Sequence, residues 1–336
     1  MGFKRLDAED FVVSADAVQS VAWSTNSPTL TEFYTSPVQS AGSSGNYYLS
    51  VYQTASTDDT AAVQFDIAYG NVNGSGSTYF NPILPRYTPA STTYGQYRSL
   101  ILEDENATFT FGDGTNTLVS NDFWVLSVER ARYKESLFPG TFNLNLSSSA
   151  GLIQLTDNSN DVLTQTFLGS NRVLQIVSGS NGSAYNTTGY VAGSGSYGLF
   201  LPDIGTILLN PAAISQSIQV DTTKTPNLAN GTNQEILFTA IKSGSAFTLN
   251  AQETITSDYV FVRSRNAEFN YSTNPSFITG STGEVIYSQF INSPQVYVTT
   301  VGMYNDANEL VAVAKLSKPL LKDFTKESLI RVKLDF

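Results

Sequence analysis

Ala62-Val63-Gln64-Phe65-Asp66-Ile67-Ala68-Tyr69 sets Val63, Phe65, Ile67 and Tyr69 at every second position, with polar or small residues between them. A period of two belongs to a β-strand, whose successive side chains leave by opposite faces. Apolar residues on one face and mainly polar ones on the other describe a strand packed on one side and solvated on the other. The same kind of short run, β-branched or aromatic, recurs at Tyr47-Tyr48-Leu49-Ser50-Val51-Tyr52, at Phe123-Trp124-Val125-Leu126-Ser127-Val128 and at Tyr259-Val260-Phe261-Val262. Gly, Ser and Asn punctuate the chain between them, at 40–46, 73–78, 178–184 and 193–198, and read as surface loops. The expected fold class is all-β, an antiparallel β-sandwich or barrel-like sheets with little helix.

Helix is expected in two places. Tyr94 to Leu102 forms a short one, broken after Glu103-Asp104-Glu105. Asn233 to Lys242 is the better candidate, with Thr232 or Asn233 as N-cap and Gly244 as the stop. No repeat with a period of about 20–50 residues is present, which argues against solenoids and propellers.

Three segments follow from the punctuation. Residues 1–140 form an N-terminal β domain with an extended arm, ending at the charge cluster Arg130-Ala131-Arg132-Tyr133-Lys134-Glu135 and at Pro139-Gly140. Residues 141–255, rich in turn residues, form a β-rich insertion. Residues 256–336 form a C-terminal β module. Within the first 40 residues Trp23, Phe33 and Tyr34 show little core pattern, so the segment reads either as a clamping arm or as an edge strand of its own domain.

The C-terminal module is the most regular part. Pro294 to Tyr304 is a strand, Asn305-Asp306-Ala307-Asn308 a turn, and Glu309 to Leu316 the partner strand of a hairpin. Lys318-Pro319-Leu320 leaves that strand. Leu329-Ile330-Arg331-Val332-Lys333-Leu334-Asp335-Phe336 then alternates to the last residue, with Ile330, Val332, Leu334 and Phe336 expected against the core.

Composition narrows the function. The 336 residues are 41% apolar, enough for a real core, but only 14% charged, against roughly 25% in ordinary soluble domains. Ser, Thr, Asn, Gly and Tyr fill the difference. They suit sheet surfaces that neighbours will cover, since uncharged polar groups cost less to desolvate than charges. A net charge of −11 repels phosphate backbones and argues against nucleic acid. No apolar stretch of about 18 residues is present, so no membrane span is expected. The start, Met1-Gly2-Phe3-Lys4-Arg5-Leu6-Asp7, has no apolar signal core, which implies synthesis in the cytoplasm. Cysteine and histidine are both absent. Thiol and imidazole nucleophiles, bases and metal ligands are therefore excluded.

The remaining chemical candidates are weak. Asp157-Asn158-Ser159-Asn160-Asp161 has the spacing that opens a calcium loop, but Leu168 stands where the closing Glu belongs, so an Asx-rich turn is the better reading. Phe111-Gly112-Asp113-Gly114-Thr115-Asn116 reads as a hairpin turn. Glu103, Asp104 and Glu105 could pair as glycosidase carboxylates but sit in one polar run, which reads as a solvated loop. Gly193-Ser194-Gly195-Ser196-Tyr197-Gly198 lacks the Lys and the helix of a phosphate loop and reads as a turn. The sequons at Asn106 and Asn186 follow from the composition alone. No catalytic, cofactor-binding or metal-binding residue is assigned, and the chain is expected not to be an enzyme.

The C-terminal pattern (Thr299 to Asp306, Glu309 to Leu320, Leu329 to Phe336) resembles the C-terminal β module of phage baseplate wedge and tail-fibre-attachment proteins. The stretches 66–71, 94–100, 130–146 and 197–210 are similar to a family of virion structural proteins of T-even-like contractile-tailed phages infecting cyanobacteria. The resemblance implies a structural component of the virion tail or baseplate, present in several copies or as a homo-oligomer. Its partners would be other tail and baseplate proteins and tail fibres, with neither nucleic acid nor membrane. A second reading is a receptor-binding fibre or decoration protein that grips a host-surface glycan through Tyr and Trp platforms.

Overall fold

The computed structural model describes residues 4–36, 48–76, 88–112, 117–185, 194–215, 218–220 and 232–335. The loop expected at 40–46 and the terminal Phe336 lie outside the described residues. The chain divides into two compact units, Val18–Glu253 and Met1–Ala17 with Thr254–Phe336. The chain passes between them within strands β1 (Phe11–Val21) and β18 (Asn250–Ser264).

In chain order the strands of the larger unit begin with β2 (Thr29–Leu30), β3 (Tyr34–Thr35), β4 (Tyr48–Tyr52), β5 (Val63–Asn71), β6 (Phe109–Gly112), β7 (Thr117–Ser120), β8 (Asp122–Val128) and β9 (Ser136–Leu137). They continue with β10 (Asn143–Ser148), β11 (Gly151–Asp157), β12 (Thr166–Leu168), β13 (Asn171–Ser180), β14 (Ser183–Ala184), β15 (Gly198–Leu201), β16 (Thr206–Leu209) and β17 (Phe247–Thr248). The main sheet runs β2-β17-β10-β11-β13-β15-β16-β8-β5-β4-β3, with β12 and β14 attached to β13. Its registered pairs are antiparallel. The all-β class is thus observed.

The sheet curls on itself. β17 and β5 stand seven places apart in the order, about 34 Å in a flat sheet. Yet the rings of Phe65 on β5 and Phe247 on β17 are only 5.3 Å apart, and Trp23 touches both, at 6.1 and 4.9 Å. The end strands β2 and β3 are joined by residues 31–33 alone, at most about 14 Å of chain. Of the two expected geometries, this is the barrel-like one.

Period two then sorts the side chains. Phe65, Ile67 and Tyr69 of β5, Trp124 and Leu126 of β8, Phe200 of β15 and Ile207 and Leu209 of β16 fill one core inside the curl. Ala68, Phe123, Val125, Leu199, Leu201 and Leu208, their sequence neighbours, fill a second core on the outer face. Both faces of these strands are buried, which the alternation at 62–69 did not announce. The inner core also takes helix α3 (Thr232–Gly244), through Leu237, Ala240 and Ile241 at helical spacing. The outer core is covered by helix α1 (Pro89–Leu102) and by the β6–β7 hairpin. A third short helix, α2 (Pro211–Ile214), lies between these two in the chain.

Helix α1 starts five residues earlier than expected. Thr88 caps it, its Oγ1 accepting from Ser91 N at 3.2 Å, and Pro89 occupies the first turn, where its missing N–H costs nothing. Glu103 in the left-handed region ends it. The expected boundary at 140/141 is corrected: residues on either side of it share one sheet. Gly140 (φ +84) and the Thr141 N to Phe138 O bond form a tight turn there, with Arg130 stacked on the Tyr133 ring at 4.6 Å. The division at 253/254 lies two residues before the expected start of the C-terminal module, and the first 17 residues join that module. Trp23 and Phe33, proposed as clamping residues, are buried in the inner core, and Trp23 Nε1 donates to Phe247 O at 2.9 Å. Neither residue lies in a strand, so both belong to the chain's own core without forming the expected edge strand or a free arm.

The smaller unit holds β1, β18 and β21 (Ser328–Asp335) in that order, and a separate ribbon of β19 (Val296–Tyr304) and β20 (Leu310–Lys322). Helix α4 (Ser288–Asn292) precedes the ribbon. β21 alternates as expected: Val332 is buried, Ile330 and Leu334 are half-buried, and Leu329, Arg331, Lys333 and Asp335 are exposed. Val332 sits opposite Val260 of β18. The face is nevertheless thinner than expected, because in the smaller unit those two valines are the buried apolar residues of this sheet among the described residues.

Candidate interaction surface

The Asp157–Asp161 turn closes on itself. Asp157 is fully buried at the end of β11, and its two carboxylate oxygens accept from Gly140 N at 3.0 and 2.9 Å. Oδ1 also accepts from Ser159 N at 3.0 Å. Asn158 Oδ1 accepts from Gln175 N, Asn160 Nδ2 donates to Asn181 O, and Asp161 Oδ2 accepts from Ala184 N. Asn181 and Gly182, both at positive φ (51 and 78), form the two-residue turn between β13 and β14. A Cβ on Gly182 would stand 2.8 Å from Gly140 Cα. Burial pushes the Asp157 carboxyl up, against the hydrogen bonds that lower it. Its oxygens are occupied by backbone donors, so the cluster pins three loops together. It is the Asx-rich turn.

The other sequence candidates are scattered. Glu103 Oε1 accepts from Ser170 N and Oγ at 3.0 and 2.9 Å, tying the end of α1 to the β12–β13 turn. Asp104 Oδ1 accepts from Asn106 N at 2.8 Å in a local turn, and Glu105 is exposed. The Gly-Ser loop leads into β15 and not into a helix. Its Gly195 lies so close to Phe111 O that an added Cβ would stand 2.1 Å away, and Asn210 Nδ2 holds Ser194 O and Ser196 O. Gly193, Asn186 and the turn 113–116 lie outside the described residues, while β6 and β7 flank that turn in register, Gly112 opposite Thr117. Among the described residues no three carboxylates come together as a metal-binding group.

Two buried polar groups escaped the sequence reading. Tyr69 OH donates to Asp122 Oδ2 at 2.9 Å, and burial pushes both groups up. Nothing in the local sequence marks the pair, because 53 residues separate them. Lys322, fully buried at the end of β20, donates from Nζ to Asn266 O, Asn270 Oδ1 and Asp323 O at 3.1, 2.8 and 3.1 Å. Three neutral oxygens satisfy its three donors. Nothing in the local sequence marks it for burial.

What remains is surface. Among the described residues, more than half of the exposed large apolar side chains lie in the smaller unit, including Phe11, Val12 and Val13 on β1, Tyr297 on β19, and Val311 and Val313 on β20. Monomeric domains rarely leave contiguous apolar surface uncovered, and where they do it marks a contact site. Among the described residues the ribbon has no third strand, although a lone hairpin is marginal in water. Compared with known protein families, with curated proteins and with solved structures, the chain matches none.

Proposed function

We propose that this chain is a structural component of a bacteriophage virion, placed in the tail baseplate and working by docking against other tail proteins. The observation that carries this reading is the contrast between the units. Val18–Glu253 curls its sheet and buries both faces of its central strands, whereas the other unit leaves nearly all of its described apolar side chains at least partly exposed. A rigid, self-sufficient body joined to a β module with uncovered faces is what an assembly protein needs. Partners that bind the folded module would stabilise it by mass action. The low charge content favours burial of that surface in a large complex, and the resemblance of the C-terminal strands supplies the location.

The test is biochemical fractionation of the encoding phage. Purified tails should carry the chain in fixed stoichiometry, and the recombinant chain should turn over neither peptidoglycan nor capsular polysaccharide nor esters. Absence from the tails, or a turnover lost on mutating one carboxylate or serine, would refute the reading. Binding to a host glycan on an array, with the chain at a fibre tip, would favour the adhesin instead.

A further inference from the structure

The smaller unit holds its fold with little. Among the described residues its sheet buries only Val260 and Val332 as apolar side chains, and no three carboxylates gather for a metal. The chain has no cysteine to make a disulfide. Modules with so thin a core ordinarily carry a covalent or metal staple. What this unit encloses is an amine against an amide. Lys322, at the end of β20, and Asn270, in the loop after β18, are 0% and 2% exposed, and Lys322 Nζ stands 2.8 Å from Asn270 Oδ1. The three oxygens around Nζ meet its hydrogen bonds, but none carries a charge, and among the described residues no carboxylate pairs with it. An ammonium enclosed without a counter-charge is costly to keep. Asn266 O accepts from Lys322 Nζ at 3.1 Å and from Asn270 Nδ2 at 2.6 Å, so one carbonyl holds both nitrogens beside the Asn270 amide carbon. Phe269, the preceding residue, sits at φ +56 with its ring exposed, an unfavourable backbone for a bulky side chain. Strain of this kind persists where the surroundings over-determine it, and here it accompanies the turn that brings Asn270 inside.

We propose that Lys322 and Asn270 are a modification site, joined by an isopeptide bond that the folded chain forms on itself. The amine attacks Cγ of Asn270. The Nζ–Cγ bond forms, the Cγ–Nδ2 bond breaks, and Nδ2 leaves as ammonium with two protons taken from Nζ. No oxidant, reductant or second substrate enters. The positive charge departs with the leaving group, and the neutral amide left behind removes the cost of the buried ammonium. The fold supplies proximity, holding the two groups in contact away from water. The bond ties the base of the ribbon to the loop after β18. It closes a covalent ring across 52 positions that contains α4, β19 and β20. A link over a loop of that length restricts the unfolded chain, which is what a module with two buried valines in its sheet lacks by other means.

The experiment is mass spectrometry of the full chain, purified and left folded for days. The wild type should fall short of its sequence mass, counted with or without Met1, by one ammonia. Trypsin should then fail to cut after the acylated Lys322, so that 266–315 and 316–326 emerge as one branched product. Asn270→Ala and Lys322→Arg should keep their full mass and give linear peptides, and the wild-type map decides even where a variant fails to fold. A wild type that holds its full mass and releases 316–322 as a free peptide overturns the proposal. So does an ammonia loss that maps to a single linear peptide, as ring closure at an Asn-Gly pair would give. The inference rests on this contact alone, so neither result bears on the virion reading.

Discussion

At the scale of single residues, the informative positions are polar groups sealed inside. Asp157 is held by the N–H groups of Gly140 and Ser159, and no cation is needed to satisfy it. Replacing it with Ala removes the acceptor and leaves two buried donors unpaired, each costing about 1–3 kcal/mol. Asp157→Asn keeps one oxygen and should cost clearly less. Chemical denaturation of the two variants tests the order, and calcium should shift neither the wild-type midpoint nor theirs. A calcium-dependent rise in stability would restore the metal-loop reading. Lys322 makes the matching case in the smaller unit: Lys322→Met preserves volume and apolar stem but abandons three oxygens. The expected loss is at least about 1–3 kcal/mol, measured by the same method.

At the scale of elements, the strand pattern was largely legible because a period of two is a local property. The first turn of α1 was missed because Pro89, Ser91, Thr92 and Thr93 are poor helix formers, although Thr88-Pro89 is itself a start signal. Burial of β5 and β8 on both faces was not legible, since Gln64, Asp66 and Ser127 suggest water and it is tertiary cover, from α1, the β6–β7 hairpin and Ser24, that removes it. The closed polar turn was legible as a turn; its partners, 17 to 23 residues away in sequence, were not. β21 was read in the correct phase, yet its packing is shallow: β1 is almost wholly exposed, and within the smaller unit only Val260 and Val332 of this sheet's described apolar residues are buried. Deleting residues 329–335 exposes Val260 and unpairs one side of β18. The truncated chain should lose the smaller unit's protection from amide exchange while Val18–Glu253 keeps its own. Uniform protection in both units would show the strand to be dispensable.

At the scale of the molecule, the two units should answer acid in opposite directions. In Val18–Glu253 burial raises the carboxyls of Asp66, Asp122, Asp157 and Glu235. A raised folded-state value favours protonation in the fold, so stability is fully present below the unfolded value near 4 and is lost as pH climbs through the raised one. Asp58, held low by the Thr60 hydroxyl, opposes them from a fully exposed site. In the other unit Glu268 is held low by the Arg265 N–H, Asp323 by the Thr325 hydroxyl and Asp335 by the Ser257 hydroxyl. Their contribution is present above about 4 and fades as pH falls through the lowered values. Between neutral pH and about 4.5, the larger unit should therefore gain stability relative to the smaller. Exchange mass spectrometry at both pH values, corrected for intrinsic rates, would detect it, and parallel changes in both units would contradict the assignment.

The seat of Trp23 has a consequence in time. Its indole rests against Phe247, 224 residues further along the chain. At roughly 5–20 residues per second, a ribosome takes about ten to forty-five seconds to supply that partner. Until then Trp23 and Phe33 have Phe65 beside them but not Phe247, and β2 waits without its partner strand β17. The chain therefore folds late and all at once, after most of it has emerged, and an expression host at lower temperature or with more holding chaperone should give more soluble protein. Trp23→Ala, which removes the last piece to be seated, should slow refolding little and speed unfolding strongly, alongside a loss of about 3–5 kcal/mol.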